Sequence, residues 1–266
     1  MRRRMVINGS LALALTLITA STQGLTRAAA QAAPVGLPDY VASAAAHPSR
    51  AGQAGDDTRR HGPEIVAFAG LRPGQKVIDL IPGGAYWSRL FALTVGPRGH
   101  VYGIWPQPYA AVARRNVVDY GRIAQQAPFR HMSGSAQPIA DLVTPEKVDL
   151  VFTAQNYHDY ADAFMGKVGP AVLNRAAFNA LRPGGIFLII DHAAQAGSGM
   201  RDTDTLHRID PAIVRRQVTA AGFVYVGESR LLRNPADDHS KAVFDASIRG
   251  RTDQFIFKFR KPLGTR

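Results

Sequence analysis

The sequence predicts a doubly wound α/β sheet, and three observations support that prediction. Short apolar runs, several of them rich in β-branched residues, recur along the chain, and such runs are typical of buried strands. Longer helical patterns separate them, as parallel strands with right-handed crossovers require. Glycine and proline mark the junctions between the two kinds of segment.

The predicted strands follow from local composition. The run Lys76-Val-Ile-Asp-Leu-Ile81 is β-branched and apolar, and the pair Gly83-Gly84 behind it predicts a tight turn. The run 254–259 alternates polar and apolar side chains, which is typical of a strand with one covered face. By these criteria the strands are 76–81, 101–104, 129–132, 148–153, 186–190, 224–231 and 254–259.

Capping signals set the predicted helices. Asp57 and Thr58 are favoured N-cap residues, and the apolar pattern behind them predicts one helix that Gly70 ends. Leu181-Arg-Pro-Gly-Gly185 carries the glycine and proline that follow helix C-termini. The predicted helices cover 57–69, 86–94, 108–126, 161–181 and 211–221, with a short helix at 40–46.

Composition excludes several classes of protein. With 266 residues, 46% hydrophobic and 20% charged, the chain is globular rather than collagen-like, coiled-coil or disordered. It contains no cysteine, so disulfides, thiolate catalysis and cysteine-bound zinc are excluded. Its net charge of +12 is scattered rather than clustered, which indicates solubility and predicts no nucleic-acid partner.

The N-terminal segment predicts export. Arg2, Arg3 and Arg4 precede the apolar run 11–20, which is too short to anchor the chain in a bilayer, and small residues follow at 26–33. Residues 1–33 are therefore a predicted signal peptide for export to the periplasm, cleaved near Ala30 or Ala33, and the Arg3-Arg4 pair resembles a twin-arginine export signal. The Sec route and an ordinary buried N-terminal helix are the alternatives. Residues 34–56 are predicted to form an arm and 57–266 one domain, with no membrane span after signal removal.

The turn after the first predicted strand is where a ligand is expected. Ligands of doubly wound sheets bind beyond the carboxyl ends of the strands, where the crossover direction changes. Gly83 and Gly84 can adopt backbone angles closed to other residues, and the helix behind them offers free N–H groups. Residues 79–86 are therefore the predicted cofactor site.

Four segments together resemble the class I S-adenosylmethionine-dependent methyltransferases. They are Leu71-Arg-Pro-Gly-Gln-Lys-Val-Ile-Asp-Leu-Ile-Pro-Gly-Gly-Ala-Tyr-Trp87, Pro97-Arg-Gly-His-Val-Tyr-Gly103, Val148-Asp-Leu-Val-Phe152 and Leu181-Arg-Pro-Gly-Gly-Ile-Phe-Leu-Ile-Ile-Asp191. Shorter motifs are similar to an exported bacterial group of predicted methyltransferases, namely Asn156-Tyr-His-Asp159, Asp191-His192, Leu206-His-Arg-Ile-Asp210 and Arg233-Asn-Pro-Ala-Asp-Asp-His239. The resemblance spans about 57–260 and implies a Rossmann-like sheet of seven strands, mostly parallel, with an antiparallel last strand.

The chain also departs from the family pattern. Ile81 and Ala85 replace the first and third glycine of the usual motif, and Trp105 stands where a carboxylate normally accepts both ribose hydroxyls. Weaker cofactor binding is expected, although the Trp105 ring could stack on adenine. The resemblance implies S-adenosylmethionine as cofactor, bound by Asp79, Pro82, Gly83, Gly84, Tyr86, Trp105, Ser135 and Asn156.

The residues after the fourth and fifth strands are the catalytic candidates. An oxygen or nitrogen acceptor needs a base, and a histidine can take a proton near neutral pH. His158 with Asp159 is the first choice, although these residues could instead cap and begin the next helix. Tyr157 lies beside them, and His192 with Asp191 ends the neighbouring strand and could bind substrate or complete a relay.

Other chemistries have weak support. His207, Asp210, Asp237, Asp238 and His239 offer donor atoms, but no compact ligand spacing occurs, so no metal site is predicted. The chain has neither a nucleophile elbow nor a dinucleotide fingerprint.

Two functions therefore stand. The first is a methyltransferase acting on an unidentified small molecule, and the alternative is a binding or scaffold protein that retains the fold with a degenerate cofactor site. The sequence gives no indication of the oligomeric state.

Overall fold

A seven-stranded sheet forms the centre of the structure, a computed structural model that describes residues 36–166 and 168–264. The strands are β1 (Lys76–Leu80), β2 (His100–Pro106), β3 (Met132–Gln137), β4 (Val148–Ala154), β5 (Leu181–His192), β6 (Val224–Ser229) and β7 (Gln254–Arg260). Their order is β3-β2-β1-β4-β5-β7-β6, with β7 antiparallel to both neighbours and the remaining pairs parallel. The predicted fold class is confirmed.

The helices connect the strands in the expected alternation. They are α1 (Asp39–Ala45), α2 (Ala54–Arg60), α3 (Gly62–Ala69), α4 (Tyr86–Val95), α5 (Gln107–Val112), α6 (Arg114–Ala124), α7 (Pro170–Ala180), α8 (Thr203–Leu206) and α9 (Pro211–Ala220). Short 3₁₀ helices cover Pro48–Gln53, His158–Ala161 and Ala163–Met165. The chain builds outward from β1 through β2 to β3, then returns to place β4 on the other side of β1. The carboxyl ends of β1 and β4 therefore meet at the switch point of the sheet.

The predicted signal peptide, residues 1–33, lies outside the described residues. Within the described ranges, no helix is long and apolar enough to cross a membrane. The predicted arm packs on the rest of the chain, because Val41 and Ala44 of α1 are buried in the core and the Tyr40 hydroxyl donates to the Leu71 carbonyl at 3.1 Å.

Three predicted helices are divided in the structure. His61 adopts a left-handed φ of 50°, so residues 57–69 form parts of two helices, α2 and α3, rather than one. Ala113 leaves the helical region between α5 and α6. The predicted helix 161–181 begins only at Pro170, after the two 3₁₀ helices that follow β4.

The third strand was predicted too early in the chain. Residues 129–132 were expected to form it, whereas β3 covers Met132–Gln137 and consists largely of polar and small residues with exposed side chains. An edge strand pairs on one side only and need not be apolar, so its composition resembles that of a loop.

One glycine permits a close helix contact beneath the site. A Cβ at Gly103 of β2 would lie 2.5 Å from Cζ of Tyr120 on α6. The Tyr120 ring in turn packs edge-on against Trp105, with ring centroids 5.2 Å apart. The absence of a side chain at Gly103 therefore sets the position of α6 and of the Trp105 indole.

Replacement of this glycine is expected to destabilise the protein. Gly103→Ala should lower the free energy of unfolding by roughly 1–3 kcal/mol, because the added methyl group overpacks a filled core. Urea denaturation followed by circular dichroism measures this. The matched control is Gly121→Ala within α6, where a Cβ meets no atom within 4 Å and where alanine is favoured by about 0.5–1 kcal/mol. Equal midpoints for the two variants would contradict the packing argument.

Candidate functional site

A cavity of about 680 Å³ opens at the carboxyl ends of the central strands. The turn after β1, the end of β2 and the segment after β4 form its walls, and His192 at the end of β5 also lines it. This is the switch point at which doubly wound sheets bind ligands. Of the residues predicted for cofactor binding, it is lined by Asp79, Pro82, Gly83, Gly84, Tyr86, Trp105 and Asn156.

The turn after β1 has the backbone of a glycine-rich loop although two of its positions are not glycine. Ile81, Gly83 and Ala85 all adopt left-handed φ angles, of 55°, 55° and 62°. Such angles cost a residue with a side chain roughly 1–2 kcal/mol. A Cβ at Gly83 or Gly84 would meet no atom within 4 Å, so open space lies beside this backbone. Replacement of the motif glycines has therefore not closed the loop.

Asp79, the acid of the motif, is fully buried at the base of this turn. Its Oδ2 accepts a hydrogen bond from the Ser88 hydroxyl on α4. Burial raises the pKa of Asp79 to about 7, although the bond to Ser88 opposes the shift. The carboxyl group thus holds the start of α4 against the end of β1, beside the open turn.

Trp105 lies in the cavity wall without protruding from it. The indole is fully buried against Tyr120, and its Nε1 has no hydrogen-bond partner among the described residues. No carboxylate stands at this position, but Tyr109 of α5 and Asn116 of α6 line the same region. Neither residue was predicted from the sequence, because only the packing of these two helices brings them to the cavity.

Asp191 organises the other side of the cavity. This fully buried carboxylate accepts hydrogen bonds from the backbone N–H of His158 at 2.9 Å, from Nδ1 of His158 at 2.8 Å and from the backbone N–H of His192 at 2.8 Å. Burial alone would raise the pKa of Asp191, but the His158 charge and these bonds hold it below its ordinary value. The segment after β4 is thereby fixed to the end of β5.

The second nitrogen of His158 meets another carboxylate. Its Nε2 lies 3.3 Å from Oδ1 of Asp159, and the Asn156 amide donates to Oδ2 of Asp159, also at 3.3 Å. Burial disfavours the imidazolium, yet the charges of Asp191 and Asp159 raise the pKa of His158 to about 9. Burial raises the pKa of Asp159 to about 6. The predicted His158–Asp159 pair is therefore a buried, charged cluster at the cavity.

Two further histidines face the same space. His192 is held by a hydrogen bond between its Nδ1 and the Thr252 hydroxyl at 2.8 Å, and burial lowers its pKa to about 4. The half-buried His207, at the end of α8, places its ring centroid 5.5 Å from that of His158. Burial and the His158 charge lower the pKa of His207. Both rings are thus neutral near pH 7.

A second cavity of about 490 Å³ adjoins the first and shares His192, Gln155 and Trp87 with it. Its walls combine apolar side chains, among them Leu232 and Phe244, with arginines. Arg60 lines both cavities, and its buried Nε has no hydrogen-bond partner among the described residues.

Two predicted site residues lie elsewhere. Tyr157 is fully buried away from the cavity, where its hydroxyl bonds to Asn174 of α7 and Gln217 of α9. Ser135 is exposed on the edge strand β3 and bonds to Gln137. The structure therefore corrects both assignments: Tyr157 is a core residue, and Ser135 faces solvent outside the cavity lining.

Most of the other candidate donors have structural partners. Asp210 caps α9 by accepting from the N–H of Ala212, and Asp237 forms a buried ion pair with Arg208 at 2.9 Å. His239 contacts Asp253 at 3.0 Å, and Asp238 accepts from Ser240. Among the candidates named for metal binding, only His207 lines the cavity.

The fold resembles that of known enzymes at low sequence identity. A methyltransferase from Aquifex aeolicus described as SAM dependent matches with a TM-score of 0.53 and 15% identity, over 74% of this chain and 87% of that chain. The cyclase SpnF matches at 0.58 and 17%, over 77% and 81%. The glycopeptide N-methyltransferase MtfA, solved with sinefungin, matches at 0.53 and 13%, over 77% and 86%. No family model and no curated protein sequence matches the chain. These likenesses establish the class I methyltransferase fold.

Loss of the Asp191 charge is expected to destabilise the protein. Asp191→Asn should lower the free energy of unfolding by roughly 2–4 kcal/mol, because it removes the fully buried carboxylate that is hydrogen-bonded to the charged His158 ring. Urea denaturation measures the difference, with Asp141→Asn on the exposed surface as the control, expected within about 0.5 kcal/mol of the wild type. A small effect at Asp191 would show that the cluster is solvated rather than held by this carboxylate.

Proposed function

We propose that the protein is an S-adenosylmethionine-dependent methyltransferase that acts on a small molecule. The observation that carries this proposal is the turn after β1, which keeps three left-handed residues and open space beside Gly83 and Gly84. Such a backbone lets a nucleoside ligand approach the main chain closely. The methyltransferase fold and the sinefungin complex of the similar MtfA support the choice of cofactor.

The cavity offers a partner for each part of that cofactor. Trp105 provides an apolar wall, while Tyr109 and Asn116 supply hydrogen-bonding groups near the end of β2 for the ribose hydroxyls. Arg60, whose Nε is unpaired among the described residues, suits the methionine carboxylate. The ion pair between Arg60 Nε and Asp56 Oδ1 is long, at 3.9 Å, and the same oxygen is already bound by Arg59. The methionine carboxylate of the cofactor would therefore supply the hydrogen bond that Nε of Arg60 lacks.

The reaction requires an acceptor lone pair in line with the sulfonium methyl group. The acceptor oxygen or nitrogen forms the new bond to carbon, the carbon–sulfur bond breaks with its electrons moving to sulfur, and the acceptor loses its proton. Most of the catalysis comes from positioning the two molecules. The cluster of His158, Asp159 and His192 surrounds the space in which the acceptor would lie, and the neutral ring of His192 would take the acceptor's proton.

Binding of S-adenosylhomocysteine tests the cofactor site. Titration calorimetry of the purified protein should show binding, and Gly83→Val should weaken it by about 10- to 100-fold, because the side chain fills the approach to the backbone. The matched control is Gly74→Val, at the opposite end of β1, where φ is also left-handed and the space around a Cβ is also open.

The alternative function is a binding or scaffold protein that retains this fold without transfer. Ile81, Ala85 and Trp105 at motif positions favour it, and the similar cyclase SpnF shows that the fold is not confined to proteins named as methyltransferases. If millimolar S-adenosylhomocysteine produced neither heat nor a thermal shift, the methyltransferase proposal would be wrong and the binding or scaffold protein would remain. If Gly83→Val and Gly74→Val bound S-adenosylhomocysteine with equal affinity, the ligand would not bind at the turn after β1.

We further propose that the protein is exported to the periplasm, with residues 1–33 as a signal peptide removed on the way. The arginines at 2–4 and the apolar run 11–20 support this proposal. The intact mass and N-terminal sequence of the protein purified from its own host provide the test. A mature chain should begin near Gln31 or Pro34, whereas a chain that retains Met1 would contradict export by cleavage.

A further inference from the structure

Three side chains with metal-binding atoms converge at the wall of the larger cavity. One donor atom each from His158, Asp159 and His207 lies within 4.8 Å of the other two. His158 and Asp159 belong to the 3₁₀ helix after β4, while His207 ends α8, so the set is assembled by tertiary packing. The sequence spacing gave no compact motif, which is why no metal site was predicted there.

The geometry around His158 requires a positive charge between it and Asp159. Asp191 accepts from Nδ1–H of His158, so the lone pair of a neutral ring lies on Nε2. That nitrogen lies 3.3 Å from a carboxylate oxygen, an unfavourable arrangement unless a proton or a cation lies between them. A carboxylate behind a histidine is also the usual outer partner of a metal-bound imidazole.

The backbone of His207 is strained at this position. Its φ of 53° is left-handed, which is uncommon for a residue with a side chain and is typical of functional sites. The ring packs edge-on against Phe244, with centroids 4.9 Å apart, and Val243 donates from its backbone to the Leu206 carbonyl. A proton between His158 and Asp159 would not require this third ligand.

A third acidic residue, after Asp159 and Asp191, favours a cation here. Asp162, in the same segment, is 2% exposed, and neither of its carboxylate oxygens has a hydrogen-bond partner among the described residues. Burial raises the pKa of Asp162, and the nearby charge of His158 opposes that shift. A buried carboxylate without hydrogen bonds is costly, and a nearby cation relieves that cost.

We propose that His158, Asp159 and His207 bind one divalent transition-metal ion, with Asp191 orienting His158 behind it. Two imidazoles and one carboxylate suit Zn²⁺ or Mn²⁺ better than Mg²⁺, which prefers oxygen ligands. Three protein ligands leave coordination positions open toward the cavity, as in catalytic metal sites.

The role of this ion rests on the proposed function, but its binding does not. A cation at this point would coordinate the acceptor hydroxyl oxygen and lower the pKa of its proton, which would pass to the neutral ring of His192 in the same cavity. The oxygen keeps a second lone pair for the methyl group, so the acceptor class is a small molecule with a metal-binding hydroxyl. The ion would release one proton from the cluster when it binds.

Metal binding is measured directly on the protein without any methyl donor. After dialysis against a chelator, titration with Zn²⁺ should show about one ion per chain, with weaker binding of Mn²⁺ and much weaker binding of Mg²⁺. His207→Ala should weaken Zn²⁺ binding by about 100-fold or more, and Asp191→Asn by about 10- to 100-fold. The control is His100→Ala, at the opposite end of β2, which should bind as the wild type does.

The outcomes separate the two proposals. Substitution with Co²⁺ adds a visible absorption spectrum that His207→Ala should lose while its circular dichroism is retained. Zn²⁺ binding that is absent at millimolar concentration, or unchanged in His207→Ala, would overturn the metal site. S-adenosylhomocysteine binding by the wild-type protein, measured with and without Zn²⁺, then decides the cofactor proposal independently.

Discussion

The buried carboxylate of Asp191 is the interaction on which the functional side of the molecule depends. It closes β5 and accepts three hydrogen bonds from the backbone and ring of His158 and the backbone of His192. Because β4 and β5 are parallel, they end at the same edge of the sheet. The segments beyond that edge are irregular, and further interactions must fix their positions. Because one carboxylate supplies it, the two histidines keep a fixed geometry toward the cavity.

The sequence predicts the sheet well because the strands that form its centre are buried on both faces. The runs that became β1, β4 and β5 are mostly apolar and mostly buried, which is typical of central parallel strands. Local signals fail where tertiary packing decides, as at His61, whose left-handed angle divides a predicted helix, and at β3, whose polar edge resembles a loop.

The candidate site was predictable from the sequence only where its residues lie at strand ends. Topology alone brings together the residues at the strand ends: the glycine turn follows β1, Asn156, His158 and Asp159 follow β4, and His192 ends β5. Tyr157 alternates to the opposite side of its segment and packs with α7 and α9, which its position next to His158 did not reveal. Three other cavity residues, His207, Arg60 and Asn116, come from distant elements, and no local sequence pattern predicts such contacts.

The energetic costs in the structure bear on the choice between an enzyme and a scaffold. Ile81 and Ala85 each hold a left-handed angle that costs roughly 1–2 kcal/mol, and Asp159, Asp162 and Asp191 are all buried near His158, beside the cavity. Apolar residues of similar volume would stabilise a scaffold more effectively than buried charges do. Strain and buried charge that coincide at one cavity are typical of a site that acts on its ligand. The open turn would hold the cofactor, and the charged cluster faces the place where its methyl group would leave.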